Sequence, residues 1–222
     1  MAYQLKTPPA VEPVILSEAK SYLRITDTDD DAFINALITG VRQRFESWTA
    51  RSLITQTWTL WLDGFPQKSR KDAPGEGYFE LPVAYFDKAD RVLEIPRPPL
   101  QSVTFLQTYD IGNTVTVFSS SNYLLDTASN PGRIALNQNA VWPTGLRSVN
   151  AVEIEFVAGY GNAVDVPDAI KQGILLWIKL LFADKSKLFE SDESTPGLAE
   201  INRVPIPPVV KALWEPYHIV KI

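Results

Sequence analysis

Carboxylates are the first residues of this chain whose type and spacing could do chemistry. Asp27, Asp29 and Asp31 occupy alternate positions, as the first three ligands of a calcium-binding loop do. The turn glycine of such a loop is replaced here by Ala32, and its bidentate glutamate by Ile38. We therefore expect these aspartates to begin a helix, where they complement the positive end of the helix dipole, rather than to bind a metal.

A second carboxylate pair, Glu153 and Glu155, lies two residues apart in a predicted strand, so both side chains project from one face. Most glycosidases use a pair of carboxylates for catalysis. The apolar residues that alternate with this pair mark the opposite face of the strand as the buried one. The sequence favours a solvated strand face, and it leaves a hydrolase that uses Glu153 or Glu155 as a weaker hypothesis.

Three tryptophans, Trp58, Trp61 and Trp142, could offer flat binding surfaces to sugars or bases. The first of them alternates with threonines in a β-favouring run, which indicates packing in a core or between subunits instead. The segment Gly159-Tyr160-Gly161 lacks the lysine and the further glycines of a phosphate-binding loop. It therefore predicts a turn.

The overall composition argues against most enzyme classes. The chain of 222 residues has no cysteine, and its single histidine is His218. A cysteine nucleophile, a serine-histidine-aspartate triad and a transition-metal cluster therefore lack their usual parts. We predict neither catalysis nor a cofactor, and the lack of cysteine suits folding in a reducing cytoplasm.

Charge and hydropathy bear on the possible partners. The formal net charge is -5, whereas tight nonspecific DNA binding depends on lysine and arginine side chains that neutralise phosphates. DNA is thus expected to pass the protein without being bound. The N-terminus lacks the basic and apolar regions of a signal peptide, and the most apolar run, 173–183, is shorter than a membrane span. We expect neither export nor a membrane partner.

Hydrophobic periodicity predicts two helices near the N-terminus. A short helix is expected from Ser17, its capping residue, to Leu23. A longer helix starts in the acidic run and carries an apolar stripe that ends at Trp48, with Arg42 and Glu46 off the stripe. Each helix thus has one apolar face for a core.

Two further helices are predicted near the C-terminus. One opens at Pro167, with Asp165 as its cap, and its apolar residues cover nearly the whole circumference. A helix of this kind is buried on more than one side, so we expect core or subunit packing for three of its side chains, Trp177, Leu181 and Phe182. A last short helix begins after Pro207.

The middle of the chain has the composition of a β region. A threonine-rich run with period-two alternation starts a strand after Leu53, and the charged segment Gln67–Gly77 is expected to be an exposed, mobile loop. Six more strand-sized runs follow between turn signals: Arg91–Ile95, Ser102–Thr108, Thr114–Phe118, Tyr123–Asp126, Arg133–Leu136 and Ala151–Ala158. The predicted fold is α+β, with a helical core formed by residues 1–52 and 163–222 and an antiparallel β region inserted at residues 53–162.

Seven short motifs occur in collinear order along nearly the whole chain: Leu16–Ile25, Arg51–Trp58, Pro96–Val103, Pro131–Ile134, Phe156–Gly161, Val166–Gln172 and Val209–Tyr217. Their series resembles the head-to-tail connector (adaptor) proteins of tailed bacteriophages, in the long form with a β insertion. No single motif is specific to that family, and the resemblance depends on the order of all seven.

The resemblance implies a structural subunit of a ring, usually twelve-fold, in the neck of a virion. Such a ring binds the portal protein of a DNA-filled capsid, extends the DNA channel and receives the next connector or the tail. The implied location is the virion neck, reached by assembly in the host cytoplasm. Two features depart from the family: segment Gln67–Gly77 is longer and more charged, and His218 stands where an arginine is common.

The C-terminal tail is the candidate docking element. Behind Pro216 it has an apolar density that is costly to leave in water. The alternative is that the tail folds back on its own subunit. We expect the portal to be bound by six residues, Tyr217, His218, Ile219, Val220, Lys221 and Ile222.

The competing hypothesis from another functional class is a carbohydrate-binding β module of a phage tail, flanked by helices. It would use the tryptophans of the β region as stacking surfaces. Glycan binding by an isolated monomer would favour this hypothesis, whereas a ring formed with the portal would favour the connector.

Overall fold

The chain is folded into two compact units. The computed structural model describes residues 1–66, 91–183 and 204–219. The helical unit comprises Pro9–Thr55 and Tyr160–Ile222, and the β unit comprises Met1–Pro8 and Gln56–Gly159. Helices and antiparallel sheets together confirm the predicted α+β class. The predicted loop Gln67–Gly77 lies outside the described residues.

Four helices form the described part of the helical unit: α1 (Leu16–Leu23), α2 (Asp31–Thr49), α3 (Asp168–Ala183) and α4 (Pro208–Trp214). They match the four predicted helices to within one or two residues at most ends. Helix α3 packs against each of the other three. This central position explains why apolar residues cover nearly its whole circumference.

The start of α1 differs from the predicted start. The helix begins at Leu16, so Ser17 lies in its first turn and is not the capping residue. The Glu18 carboxylate accepts a hydrogen bond from the Ile15 N–H at 2.9 Å. The Glu18 side chain therefore reaches back and satisfies the N–H group of the residue before the helix. The sequence instead predicts that the Ser17 hydroxyl caps the helix.

The start of α3 also differs from the predicted start, in its capping group and in its first residue. The Asp165 carboxylate accepts from the Asn162 N–H at 2.8 Å and closes the short turn Ala163–Asp165, so it does not cap α3. The Ile170 N–H donates instead to the Pro167 carbonyl at 3.0 Å. Pro167 thus stands immediately before the helix and provides a backbone acceptor rather than the first helical residue.

The described residues of the β unit form two antiparallel sheets. The first has five strands in the order β1 (Ala2–Thr7), β2 (Gln56–Leu62), β8 (Val152–Ala158), β4 (Leu100–Tyr109) and β5 (Val115–Val117). The second has three strands in the order β3 (Val92–Glu94), β7 (Arg133–Leu136) and β6 (Tyr123–Asp126). All seven predicted strands occur, and β6 and β7 have the predicted bounds.

The core of the β unit is built from alternate residues of its strands. In β2, buried and half-buried residues alternate along the whole strand. The buried set of the unit is apolar and includes Leu60, Leu106, Ile134, Ile154 and Phe156. Period-two alternation in the sequence thus marks the inner face of the larger sheet correctly.

The sequence does not predict β1, because it assigns the whole of residues 1–52 to the helical part. In the structure Ala2–Thr7 pairs with β2 and forms one edge of the five-stranded sheet. All six residues of β1 are exposed. The alternation of apolar and polar residues is present here, but it covers only Tyr3, Gln4, Leu5 and Lys6, which is the lower limit of a strand pattern.

Candidate functional site

Trp214 is the centre of the C-terminal part of the helical unit. Its ring meets the rings of Phe45 and Trp177 edge-on, with centroids 4.9 and 5.7 Å away. Its indole N–H donates to the Ile170 carbonyl at 3.3 Å. Gly173 lies so close that a Cβ atom there would fall 2.2 Å from the indole nitrogen. These contacts hold α4 against α2 and α3.

The tail leaves this cluster through a 3-10 turn, Glu215–Tyr217. The Arg51 guanidinium donates a hydrogen bond to the Tyr217 carbonyl at 2.5 Å. The rings of His218 and Trp48 lie 4.7 Å apart. Tyr217 and His218 thus fold back on their own subunit. Of the other predicted docking residues, Ile219 is half-buried, and the remaining three lie outside the described residues: Val220, Lys221 and Ile222.

The three packing residues predicted on α3 are placed in or against the core. Trp177 and Leu181 are buried, and Phe182 is half-buried with its ring 6.0 Å from that of Phe33. Leu180, on the same helix, is 41% exposed. The helix therefore has apolar surface beyond what its own core covers, and contact with a neighbouring subunit stays a prediction.

A buried ion-pair network joins α2 to the chain on either side of the α1–α2 pair. Arg42 Nε donates to Glu12 Oε2 at 2.6 Å, and Arg42 Nη1 donates to Glu46 Oε2 at 2.9 Å. The second oxygen of Glu46 accepts from the Leu53 N–H at 2.9 Å. Burial alone lowers the pKa of Arg42, but the hydrogen bonds and charges of Glu12 and Glu46 outweigh it and raise this pKa.

Sequence reasoning did not find this network. It places Arg42 and Glu46 off the apolar stripe of α2, yet the two residues are only 6% and 7% exposed. Opposite charges four residues apart on a helix are the available local signal for a pair. Glu12, which completes the network, is 30 residues away and carries no such signal.

The prediction that Glu153 and Glu155 lie on a solvated face of β8 is wrong for Glu155. Glu155 is 8% exposed and forms an ion pair with Lys6 of β1. Glu153 Oε2 accepts from the Tyr109 hydroxyl and the Gln107 amide, both at 2.6 Å. The hydrogen bond to Glu153 raises the pKa of Tyr109. Glu155 is buried and Glu153 is half-buried, and the contacts of each support a structural role.

The acidic run before α2 forms an ion pair. Lys20 Nζ donates to Asp31 Oδ1 and to the Asp27 carbonyl, each at 2.6 Å. The first residue of α2 is Asp31, so the helix starts within the acidic run, as predicted. In the three described ranges, no group of three histidine, cysteine or acidic residues is arranged to hold a metal ion. None of the helices described is long and apolar enough to span a membrane.

The three tryptophans of the β unit pack within that unit. Trp58 is 8% exposed, and Trp142 stacks on Phe65 with ring centroids 4.3 Å apart and planes 7° apart. Trp61 is half-buried beside Tyr109, with ring centroids 5.9 Å apart. These contacts agree with the expected packing role and give the carbohydrate hypothesis no support.

The segment Gly159-Tyr160-Gly161 forms a bend, as its glycines suggest. Gly159 and Gly161 have φ angles of 127° and 125°, which side chains rarely allow. The Tyr160 N–H between them donates to the Leu53 carbonyl at 2.8 Å. The segment therefore joins β8 to the helical unit, and its glycines serve the backbone.

Comparisons with known proteins found one family match by sequence and several matches by structure. Residues 14–83 match the family described as phage gp6-like head-tail connector proteins. No curated protein matches the chain by sequence. A chain from the neck of an empty GTA particle, computed with C6 symmetry, is similar with a TM-score of 0.69 and 19% identity, over 100% of this chain and 97% of that one.

Two more solved structures are similar over nearly the full length. A chain from the virion of a native gene transfer agent (GTA) particle has a TM-score of 0.66 and 19% identity, over 100% of this chain and 97% of that one. A chain from the neck of a native GTA particle, computed with C12 symmetry, has 0.59 and 21%, over 99% and 97%. At these identities the likeness shows a shared fold for the whole chain.

Proposed function

We propose that the chain is a member of the phage gp6-like head-tail connector family, whose sequence pattern residues 14–83 match, and a ring-forming structural subunit of a virion neck. The subunit binds the portal protein on one side and a tail-side connector or the tail on the other. It is not an enzyme, needs no cofactor, and takes its place after assembly in the host cytoplasm.

The proposal that the tail docks in the portal is supported by contacts that hold the start of the tail in place. The Arg51 bond to the Tyr217 carbonyl and the His218 contact with Trp48 fix the point from which the last residues extend. Anchoring lowers the entropy that a docking segment loses on binding. We therefore assign Tyr217 and His218 as the base of the docking tail, and residues 219–222 as the part inserted in the portal.

The ring is supported by the full-length likeness to chains of particle necks, two of them computed with C6 and C12 symmetry. Twelve copies fit the C12 symmetry of one such neck. The net charge of -5 suits a channel for DNA, because acidic walls repel phosphates and let the duplex slide. Mechanical load then passes through packed subunits, with no chemical step.

A truncation after His218 tests the docking tail. It removes residues 219–222 but keeps both anchoring contacts, so the helical unit should stay folded. We expect the truncated chain to give the circular dichroism spectrum and melting temperature of the full chain, and to lose binding to purified portal in electron microscopy and pull-down. Unchanged portal binding would refute the docking role.

Val164→Ser is the matched control. Val164 is 83% exposed and belongs to the same unit, so this variant removes an exposed apolar side chain that lies outside the tail. It should bind portal as the full chain does. A loss of binding in both variants would instead indicate that general surface hydrophobicity, and not the tail, drives the association.

A further inference from the structure

The edge strand β1 contacts the rest of the β unit through few side chains. Its ladder with β2 runs from Ala2 opposite Trp61 to Thr7 opposite Thr57, and all six residues of β1 are exposed. An exposed edge strand is held mainly by backbone hydrogen bonds, with little apolar burial to stabilise it. Opening this one ladder would therefore free β1 while the core of the unit stays closed.

The chain leaves β1 at once for the other unit. Residues 1–8 belong to the β unit, and residues 9–55 belong to the helical unit. The connection contains Pro8 and Pro9, bends at Ala10 and Val11, and ends where Glu12 pairs with Arg42 and Pro13 is buried. Residues 8–11 are therefore the segment whose backbone must change for β1 to reach another copy.

Three side-chain contacts define the place of β1 on its sheet. The Tyr3 ring meets the Trp58 ring edge-on at 5.7 Å, and the Arg97 guanidinium lies 5.1 Å from the Tyr3 centroid. Lys6 forms an ion pair with Glu155. All of these partners lie in the β unit outside β1, so β1 of any copy of the chain could make the same contacts.

We propose that β1 is an exchange arm: in the assembled ring, β1 of one copy pairs with β2 of the adjacent copy. The inference rests on the proposed function, because it needs the ring. Contacts around a ring are heterologous, so each copy gives one arm and receives one. In the free chain, intrachain pairing wins through its high effective concentration, whereas in the ring the neighbour's β2 is held nearby as well.

Cysteines provide the test, since the chain has none of its own. Gln4 and Thr59 are directly opposed in the β1–β2 ladder. Opposed Cα atoms in such ladders lie about 4.5–5.5 Å apart, within disulfide range. Gln4→Cys and Thr59→Cys variants are mixed, assembled with portal and oxidised, and the products are identified by peptide mass spectrometry. We expect disulfide-linked dimers that join residue 4 of one variant to residue 59 of the other.

A mixture of Gln4→Cys with Thr104→Cys is the matched control. Thr104 is exposed on β4, which does not pair with β1, so this mixture should give no linked dimer above background. A diluted, monomeric mixture of the Gln4 and Thr59 variants should also give none.

A locked chain gives a second measurement. The Gln4→Cys/Thr59→Cys double variant is oxidised as a monomer, which fixes β1 on its own β2. We expect the locked chain to lose ring formation with portal and to regain it on addition of a reductant. The measurement does not depend on cross-linking efficiency inside the ring.

The outcomes separate the exchange from the proposed function. Rings that form equally well from the locked chain and contain no linked dimers would overturn the exchange and leave the connector role intact. Linked dimers in self-associated chain that forms no ring with portal would overturn the connector role, and would overturn the exchange as an arrangement of the connector ring. Neither dimers nor rings would overturn both.

Discussion

The two units of this chain close their cores in different ways. In the helical unit, Trp214 is enclosed by rings from two other helices, and charged residues such as Arg42 are buried with their partners. In the β unit the edges stay open: β1 is exposed throughout, and so is β5. The helical unit is thus suited to hold the tail in a fixed place, and the β unit to pair with another copy.

The difference has a physical cause. A helix satisfies its own backbone hydrogen bonds, so side-chain packing alone can close the core of a helical unit. An open sheet ends in strands with unpaired N–H and C=O groups, which remain available unless something covers them. The comparison therefore predicts large, local losses for core changes in the helical unit and smaller ones in the β unit.

Replacement of Trp177 should give the largest loss of stability. Its side chain is fully buried among three helices, so Trp177→Ala should lower the free energy of unfolding by about 3–5 kcal/mol. Urea unfolding, with hydrogen exchange at α3 amides, measures it. Trp61→Ala, which removes a half-buried ring from the β unit, is the control and should lose less. Equal losses would break the comparison.

Removal of the Arg42 charge should have the next largest effect. Arg42→Met leaves Glu46 buried without its cation, and breaking a buried pair in this way costs about 3 kcal/mol. Thermal and urea unfolding measure the change. The double variant Arg42→Met/Glu46→Leu removes both charges and should recover part of the loss. If the single variant is as stable as the natural chain, the network does not stabilise the unit.

A smaller loss is expected from Gly132→Ala in the β unit. A Cβ atom at this position would lie 2.4 Å from Leu100 Cβ and 2.8 Å from Leu100 Cδ2, so the backbone at position 132 or at Leu100 must move. Crowding of this kind costs about 1–3 kcal/mol. Gly64→Ala is the control, because a Cβ atom there meets open space. Stability measured by urea unfolding should change only for Gly132→Ala.

Periodicity and turn signals were sufficient to predict the four helices and seven of the eight strands in the described residues. Most of these elements have buried residues that recur at the helical or strand interval, whereas β5 has none. Periodicity also located Trp177 and Leu181, whose helix is apolar on nearly all faces. The strand β1 was missed although it is no more exposed than β5, which was predicted. Its alternation covers only four residues, from Tyr3 to Lys6, and a pattern this short is a weak signal for a strand.

The candidate site was harder to predict, because its contacts join distant parts of the chain. Arg51 and Tyr217 are 166 residues apart, and Lys6 and Glu155 are 149 apart. Nothing local in the sequence indicates either contact. The apolar tail is visible in the sequence, whereas its anchored base depends on how α2 and α4 converge.

The smallest expected effect concerns the Asp126 carboxylate, on the surface of the β unit. Its oxygens accept hydrogen bonds from the Ser129 hydroxyl at 2.6 Å, from Arg133 Nε at 2.8 Å and from the Ala128 and Ser129 N–H groups at 3.0 and 3.1 Å. These donors favour the charged form and hold the pKa of Asp126 well below its ordinary value of 3.8. The turn before β7 should therefore stay ordered in mild acid.

The sign of the pH dependence follows from the lowered pKa of Asp126. The unfolded chain takes up this proton near pH 3.8, before the folded chain does, so the stabilisation is complete above that pH and is lost as the pH falls below it. A carboxyl carbon titration by NMR measures the pKa directly. Ser129→Ala should raise it more than Arg133→Gln, because the Ser129 hydroxyl is the largest cause of the shift. A pKa near 3.8 in the unaltered chain would show that the hydrogen bonds of this turn are open in solution. The turns of the β unit, as well as its edge strands, would then be weakly held.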